Sequence, residues 1–447
     1  MFPACSSRPG LDTADAEIGQ DAGPADAVIP RPCGENSGLQ PGSPWPMHMG
    51  CPELRNRSAA VGPAAPDKIR YIDGIDRLFD RIGCDPVIGA DGTVYIGSFY
   101  PHFGENSDFD PEYCVRRLHA FNPDGTEKWV FEVTADFDHG GEYHHELADP
   151  PRSIVLAEDR IYFGLGNDCG MGHPAAKPSI MAVDYEGNEI WNFPLNDISL
   201  MSSITVDPDG SLYFIDSRKY NENNIYHLVS TTSDGIERWA SPAVGSFGYV
   251  YPLLYAEGRV FMGSKGIVFS FNSDDGDLAW EMEIGDYLTS AMSLGDNGII
   301  YLTASVKEMA SPYEIAMNSL YAVSPEGEIL WSQLIGEGSS ISSLAVGPDG
   351  MIVGSIESNI FAFTSEGDLL WTYEEELGRY YVSPVIDGEG TIYANMNGTI
   401  NAISHDGTLK WTTSETGTVF NSGAAPAIGA DGALYFCREH ELCVIEP

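Results

Sequence analysis

The amino-acid sequence predicts an all-β fold, an eight-bladed β-propeller of four-stranded blades. Three observations support this prediction: a recurring tryptophan, a recurring earlier turn, and a number of strands that completes eight blades only if both chain ends contribute to the last one. Seven of the eight tryptophans stand four residues after a glycine that itself follows Asp or Glu. Their period of about 40 residues, with insertions, is typical of propeller blades. These residues are Trp129, Trp191, Trp239, Trp280, Trp331, Trp371 and Trp411.

Each repeat also has an earlier tight turn between two β-rich runs, as at Asp91-Gly92. Such dipeptides supply the positive φ that a tight hairpin turn needs. Each unit is therefore strand, tight turn, strand, variable loop, strand, tight turn and Trp-bearing strand. We expect the tryptophan to pack between neighbouring blades. The equivalent turns are at Asp209-Gly210, Asn297-Gly298, Asp349-Gly350, Glu389-Gly390 and Asp431-Gly432, with Glu158-Asp159 and Glu257-Gly258 in two looser units.

The strand count predicts that the two chain ends share the last blade. Eight first strands precede only seven Trp-bearing strands, and the chain stops at Pro447, where a second tight turn should begin. The β-like segment at residues 68–72 can supply the missing strand, with Tyr71 in the place of the tryptophan. A propeller over residues 67–447 would then close without an open edge.

Residues 1–66 are predicted to form a disordered leader or tether, because Pro, Gly, Ala and Asp dominate without apolar periodicity. The start, Met1-Phe-Pro-Ala-Cys5, resembles the end of a bacterial lipoprotein signal but lacks its apolar core. Lipidation of Cys5 and a chance match both stay open. A terminus without a function is the alternative to a tether.

The formal charge of −43 excludes nucleic acid as a partner and leaves a lipid anchor as the only membrane attachment we expect. The acidity suits either solubility and salt adaptation or cation binding. Eight cysteines behind such a leader favour an oxidising, extracytoplasmic compartment. The repeat register places Leu442, rather than Cys443, opposite Cys437, so a bridge between the two cysteines would require a bulge.

The runs Pro-Val-Ile-Gly-Ala-Asp-Gly-Thr-Val-Tyr-Ile from Pro86 and Leu-His-Ala-Phe-Asn-Pro-Asp-Gly-Thr-Glu-Lys-Trp from Leu118 resemble the PQQ-like propeller repeat. This resemblance covers residues 68–447, and residues 45–50 with 61–63 resemble the leader of extracytoplasmic members. It implies two kinds of relative: quinoprotein alcohol dehydrogenases, which hold quinone and calcium at the propeller centre, and the cofactor-free lipoprotein scaffold of the outer-membrane assembly machine. The fold does not choose between them.

Long insertions are predicted to enlarge one face of the ring, because all of them join second to third strands or one blade to the next. We expect this insertion-bearing face to bind a partner, and neutral loop growth is the alternative. The insertions are residues 99–113, 134–151, 166–178, 217–224 and 306–318.

Polar residues of blades 1 and 2 form the candidate site on this face. Imidazole and carboxylate groups together suit zinc or calcium, although the spacing matches no established ligand motif, and solvated loops are the alternative. The binding candidates are His102, Asp108, Asp110, Asp138, Glu142 and His173, and the metal-ligand candidates are His139, His144 and His145.

No catalytic residue is predicted. The chain has no adjacent cysteine pair, no spare tryptophan for a quinone platform, no nucleophile elbow and no His-Glu-x-x-His motif. We therefore expect no cofactor, and PQQ least of all. The predicted function is a monomeric, extracytoplasmic, non-catalytic binding or scaffolding propeller for a protein or glycan. A metal-dependent enzyme or metal-binding protein is the alternative, and a quinoprotein dehydrogenase ranks third.

Overall fold

Each sequence repeat folds into one antiparallel sheet of four main strands, and eight such sheets form a ring. The predicted all-β, eight-bladed propeller is confirmed. Every regular element in the described residues is a strand, and none of these residues forms a helix long and apolar enough to cross a membrane. The computed structural model describes residues 38–66, 68–72, 81–103, 109–134, 152–165, 178–196, 204–220, 223–244, 251–310, 313–338, 341–357, 359–374, 383–396, 399–413, 425–438 and 441–447.

The strands repeat in the same order in every blade, and we number the blades from the one that begins at Arg81. The first strands are Arg81–Ile88, Arg152–Leu156, Thr205–Val206, Leu254–Ala256, Ser293–Leu294, Ala345–Val346, Pro384–Ile386 and Ala427–Ile428. The second strands are Val94–Phe103, Ile161–Leu165, Leu212–Tyr220, Arg259–Ser264, Ile300–Ala310, Ile352–Ile356, Ile392–Met396 and Leu434–Arg438.

The third and fourth strands complete each sheet. The third strands are Phe109–Phe121, Ser179–Val183, Asn223–Thr231, Ile267–Asn272, Tyr313–Val323, Asn359–Phe363, Thr399–Ile403 and Glu441–Ile445. The fourth strands are Glu127–Thr134, Glu189–Pro194, Glu237–Ala240, Leu278–Glu283, Ile329–Glu337, Leu369–Glu374, Leu409–Thr412 and, in blade 8, Ile69–Ile72. Blade 5 has one additional short strand, Tyr287–Leu288, on its second strand.

The core lies between adjacent blades. Tyr95 of blade 1, for example, is fully buried and its ring lies 5.8 Å from that of Trp129 and 6.3 Å from that of Tyr185 in blade 2. Because strand side chains alternate between two faces, both faces of each blade can contribute to such layers. First strands of most neighbouring blades contact one another, so the first strand is the innermost.

Six of the seven repeat tryptophans lie against a glycine of the next blade, whereas the Trp411 Nε1–H donates to the carbonyl of Pro63 at 3.3 Å. Gly407 has a φ of +87°, and a Cβ there would lie only 2.7 Å from Cδ2 of Trp371. The Trp371 Nε1–H donates to the carbonyl of His405 at 2.9 Å. The glycine before the tryptophan in blades 2 to 7 thus both forms its own turn and accommodates the indole of the preceding blade. The other pairs are Trp129 with Gly187, Trp191 with Gly235, Trp239 with Gly276, Trp280 with Gly327 and Trp331 with Gly367.

The two chain ends close the ring as predicted, since Ile69–Ile72 pairs antiparallel with Glu441–Ile445. The assignment of Tyr71 to the tryptophan place is wrong, however. The register places Arg70 opposite Val444, the position equivalent to the partners of the tryptophans, and Arg70 Nη2 donates to the Pro123 carbonyl at 2.9 Å. A shift of one residue moves a side chain to the other face of a strand, so Tyr71 faces away from Gly125.

The cysteine register agrees with the sequence pattern. Cys437 lies opposite Leu442, whereas Cys443 lies opposite Phe436. Cys437 is disulfide-bonded, while Cys443 keeps its thiol, 4.0 Å from the Glu441 carbonyl. The two cysteines therefore do not bridge each other.

The leader differs from the sequence expectation. We expect disorder through residue 66, yet residues 38–66 are ordered against the ring, and Trp45, Met47 and Leu54 are buried. Residues 1–37, including Cys5, lie outside the described part of the chain. The tether boundary predicted at residue 66 does not hold for residues 38–66, because this segment has apolar side chains that the ring can bury.

Candidate functional site

The two ends of the central channel differ. One end is formed by the tight turns that join first to second and third to fourth strands, and the other by the longer connections. The ordered leader, residues 38–66, lies at the tight-turn end. The insertion-bearing face is at the opposite end.

The leader satisfies backbone amides on the inner edges of the blades. The innermost strand of a blade has one edge without a strand partner, and its buried N–H groups need acceptors. In six blades the amide near the end of the first strand donates to a leader carbonyl at 2.8 to 3.0 Å. The pairs are Ile88 with Trp45, Leu156 with Pro46, Tyr255 with Pro52, Leu294 with Glu53, Val346 with Arg55, and Ile386 with Asn56.

Apolar side chains of the same segment fill this end of the channel. Met47, Met49 and Leu54 are at most 1% exposed and belong to a cluster with first-strand residues such as Val206 and Leu294. Burial of side chains of this size contributes roughly 1.5–3 kcal/mol each. The leader is thus an integral plug of the tight-turn end.

An ion pair holds the plug against blade 5. Arg57 donates to both carboxylate oxygens of Asp296 at 2.7 and 2.8 Å, and Arg55 donates to Oδ1 at 2.7 Å. Burial alone would raise the pKa of Asp296, but the Arg57 hydrogen bonds and the two guanidinium charges hold it below its ordinary value. The bidentate geometry fixes the orientation of this part of the leader.

Three insertions on the opposite face continue the blade strands instead of forming irregular loops throughout. Second and third strands extend to residues 103 and 109 in blade 1, 220 and 223 in blade 3, and 310 and 313 in blade 5. We call these extensions the hairpin arms. Paired strands satisfy the backbone groups of a long connection internally, which explains why these three insertions extend as hairpins.

The base of the blade 5 arm is braced by its neighbours. Lys307 donates its backbone N–H to Asp286 Oδ2 at 2.7 Å, and its ammonium lies 5.0 Å from the centroid of the Tyr287 ring. The short strand at Tyr287–Leu288 also pairs with Ser305 and Ala304. These contacts orient the arm where it leaves the ring.

The structure places two of the predicted site residues on the blade 1 arm. His102 lies on its second strand and Asp110 on its third strand. The structure describes the backbone of these two residues but not their side chains. The other candidates lie entirely outside the described residues, namely Asp108, Asp138, Glu142, His173, His139, His144, His145 and Cys5. The site therefore stays a prediction.

Among the described residues, no group of three or more His, Cys, Asp and Glu side chains is arranged to hold a metal ion. One histidine not singled out by sequence is buried beneath the blade 1 arm. His119 is 2% exposed, and its Nε2 lies 2.7 Å from the Ser98 hydroxyl. Burial, together with the Arg117 charge, lowers the pKa of His119 to about 4, so it is a neutral core residue. Its place next to Ala120, the small residue opposite the repeat tryptophan, is the signal that the sequence offered.

Comparison with known proteins finds one family model that matches part of the chain. The model of the family described as outer membrane protein assembly factor BamB matches residues 316–447. This match confirms the predicted resemblance to PQQ-like repeats over that region. Comparison with curated protein sequences gives no significant match.

Three solved structures resemble the fold. The quinohemoprotein alcohol dehydrogenase of Comamonas testosteroni has a TM-score of 0.60 at 12% identity, covering 91% of this chain and 80% of its own. The computationally designed Ika8 protein has a TM-score of 0.50 at 12% identity, covering 76% and 94%. BamB from Moraxella catarrhalis has a TM-score of 0.37 at 15% identity, covering 66% and 93%. At these identities, the first two show the propeller fold alone.

Proposed function

We propose that this propeller, whose carboxyl-terminal repeats match the BamB family model, is a non-catalytic scaffold that binds a partner protein through its insertion-bearing face. The asymmetry of the ring carries this proposal. The leader already occupies the tight-turn end with its own backbone and side chains, whereas the hairpin arms extend from the other end. Rigid rings commonly present binding residues on such projecting connections.

The proposed location is extracytoplasmic, at an outer membrane, with lipidated Cys5 as the anchor. The name of the matched family supports this location, as do the leader resemblance and the cysteine content. In this proposal, residues 6–37 are the tether between the anchor and the plug.

Site-specific photo-crosslinking in the native envelope tests the proposed face. A photoreactive residue at His102, Asp110 or Lys307 is expected to crosslink a protein, whereas one at Asp209 or Asp431 in the tight turns is not. Crosslinks confined to the tight-turn positions would refute the proposal. Retention on immobilised glycans without any protein crosslink would instead assign the face to a glycan.

Metal binding is the second candidate, because His139, His144 and His145 fall within one insertion beside blade 1. Elemental analysis of the purified full chain separates the two functions. We expect no stoichiometric metal. One zinc ion per chain, lost when the three histidines are changed to alanine, would establish a metalloprotein in place of a pure scaffold.

A further inference from the structure

The outer edge of the ring is formed by the fourth strands, each of which pairs only with the third strand of its own blade within the described residues. The repeat tryptophan on seven of these strands is partly buried. The two residues before the tryptophan are exposed in all seven Trp-bearing blades. The residue types at these two positions therefore determine whether the outer rim is charged or apolar.

These rim positions change from charged to apolar around the ring. The residue directly before the tryptophan is Lys128 in blade 1, Arg238 in blade 3 and Lys410 in blade 7. In blades 4 to 6 it is alanine or leucine, and the fourth strands there expose large aliphatic side chains. We call this set the outer apolar belt; its members expose 41% to 62% of their surface and are Leu278, Ile329, Leu330, Leu334, Leu369 and Leu370.

An exposed edge strand with aliphatic side chains is a template for pairing with another chain. Natural sheets commonly protect such edges with charged residues, especially lysine. Blades 1, 3 and 7 have a basic residue directly before the tryptophan, whereas blade 2 has Ile190 and the three consecutive blades 4 to 6 have alanine or leucine. The fourth strand of blade 5, Ile329–Glu337, is also the longest of the eight, with nine residues against four to eight in the others. Its length gives a partner strand the most backbone groups to pair with.

The charge around the belt selects the kind of partner. The segments 274–283, 324–337 and 364–374, which carry the belt, contain many Asp and Glu residues but no Lys or Arg. Exposed carboxylates lie at both ends of the blade 5 strand, at Glu328 and Glu337. A second copy of this chain, with its net charge of −43, would be repelled. A segment with basic ends would be attracted.

We propose that the outer apolar belt binds an extended, Lys- or Arg-flanked segment of a partner protein. This segment adds as a strand to the outer edge of blade 5 and places alternate aliphatic side chains on the belt. The surface is separate from the insertion-bearing face, so the inference does not depend on the proposed function.

A fluorescein-labelled peptide with alternating valine and threonine residues between terminal lysines is the probe. Fluorescence anisotropy with the full chain should show saturable binding that weakens with added salt. The same peptide with glutamate in place of lysine should not bind, and neither should a version with N-methylated backbone amides. Absence of saturable binding, or equal binding of the N-methylated peptide, overturns strand addition.

Paired variants locate the site. The double variant Leu330→Lys with Leu370→Lys places lysine directly before the tryptophan in blades 5 and 6, as Lys128 stands in blade 1. It should weaken peptide binding at least tenfold. Ile190→Lys, at the equivalent exposed position of blade 2, is the matched control and should leave binding unchanged. Equal losses in the two variants would contradict the assignment. All of these sites are exposed, so unchanged thermal midpoints will verify folding.

Sedimentation equilibrium tests the competing occupant. The chain should be monomeric at the concentrations used for anisotropy. A dimer that Leu330→Lys dissociates would assign the belt to a second copy and overturn the proposal.

Discussion

Substitution of Gly407 by alanine should destabilise the ring by more than its backbone conformation alone requires. Gly407 has a φ of +87°, and a left-handed backbone costs an L-residue about 1–2 kcal/mol. The new Cβ would also lie 2.7 Å from Cδ2 of Trp371, and overpacking of this kind costs about 1–3 kcal/mol. The expected total loss in the free energy of unfolding is about 2–5 kcal/mol.

Gly298→Ala is the matched control. Its φ is +76°, and nothing lies within 4 Å of the position that a Cβ would take. This variant should therefore lose only the backbone contribution of about 1–2 kcal/mol. Equilibrium denaturation followed by tryptophan fluorescence measures both variants under the same conditions.

A double-mutant cycle tests whether the additional loss of stability in Gly407→Ala comes from the contact with the Trp371 indole. In a Trp371→Leu background the ring that the Cβ would strike is absent, so Gly407→Ala should cost about as much as Gly298→Ala. Equal costs of the two glycine substitutions in the wild-type background would refute the reasoning. An excess that persists without Trp371 would refute it as well.

Three further predictions concern the plug and the core. Trp45→Ala should lower the free energy of unfolding by about 3–5 kcal/mol in denaturant titrations, because this side chain is 2% exposed; a cost below about 1 kcal/mol would contradict its structural role. Asp296→Asn should increase amide hydrogen exchange in residues 55–57 and cost about 1–3 kcal/mol, whereas Asp91→Asn, in the exposed pair with Lys128, should leave that exchange unchanged. The pKa of His119 is lowered from 6.5 to about 4, so its stabilising contribution is complete above pH 6.5 and is lost as the pH falls toward 4. The unfolding midpoint of His119→Gln should therefore fall less steeply with decreasing pH than that of the wild type. Parallel dependences of the two midpoints on pH would exclude this contribution.

Local sequence patterns suffice for the architecture of the ring. The spacing of a glycine and a tryptophan, as in Gly407 and Trp411, indicates the second tight turn and the fourth strand of one blade. These features recur because every blade packs against its neighbours in the same way. Turn chemistry and strand period act over a few residues, which is why the blade count and the shared last blade could be predicted. The cysteine register followed from the same period of two.

The candidate site was less accessible to prediction, since the arms and the plug depend on contacts between distant residues. Nothing near Trp45 in sequence indicates that its carbonyl accepts the amide of Ile88, or that Arg57 binds Asp296. The substitution of Arg70 for an eighth tryptophan likewise depends on a register between strands almost a whole chain length apart. The repeat and its turns could be predicted from the sequence because their causes act between residues that are close in the chain. The plug, the hairpin arms and the outer apolar belt arise only when the closed ring brings separate segments to the same end or edge.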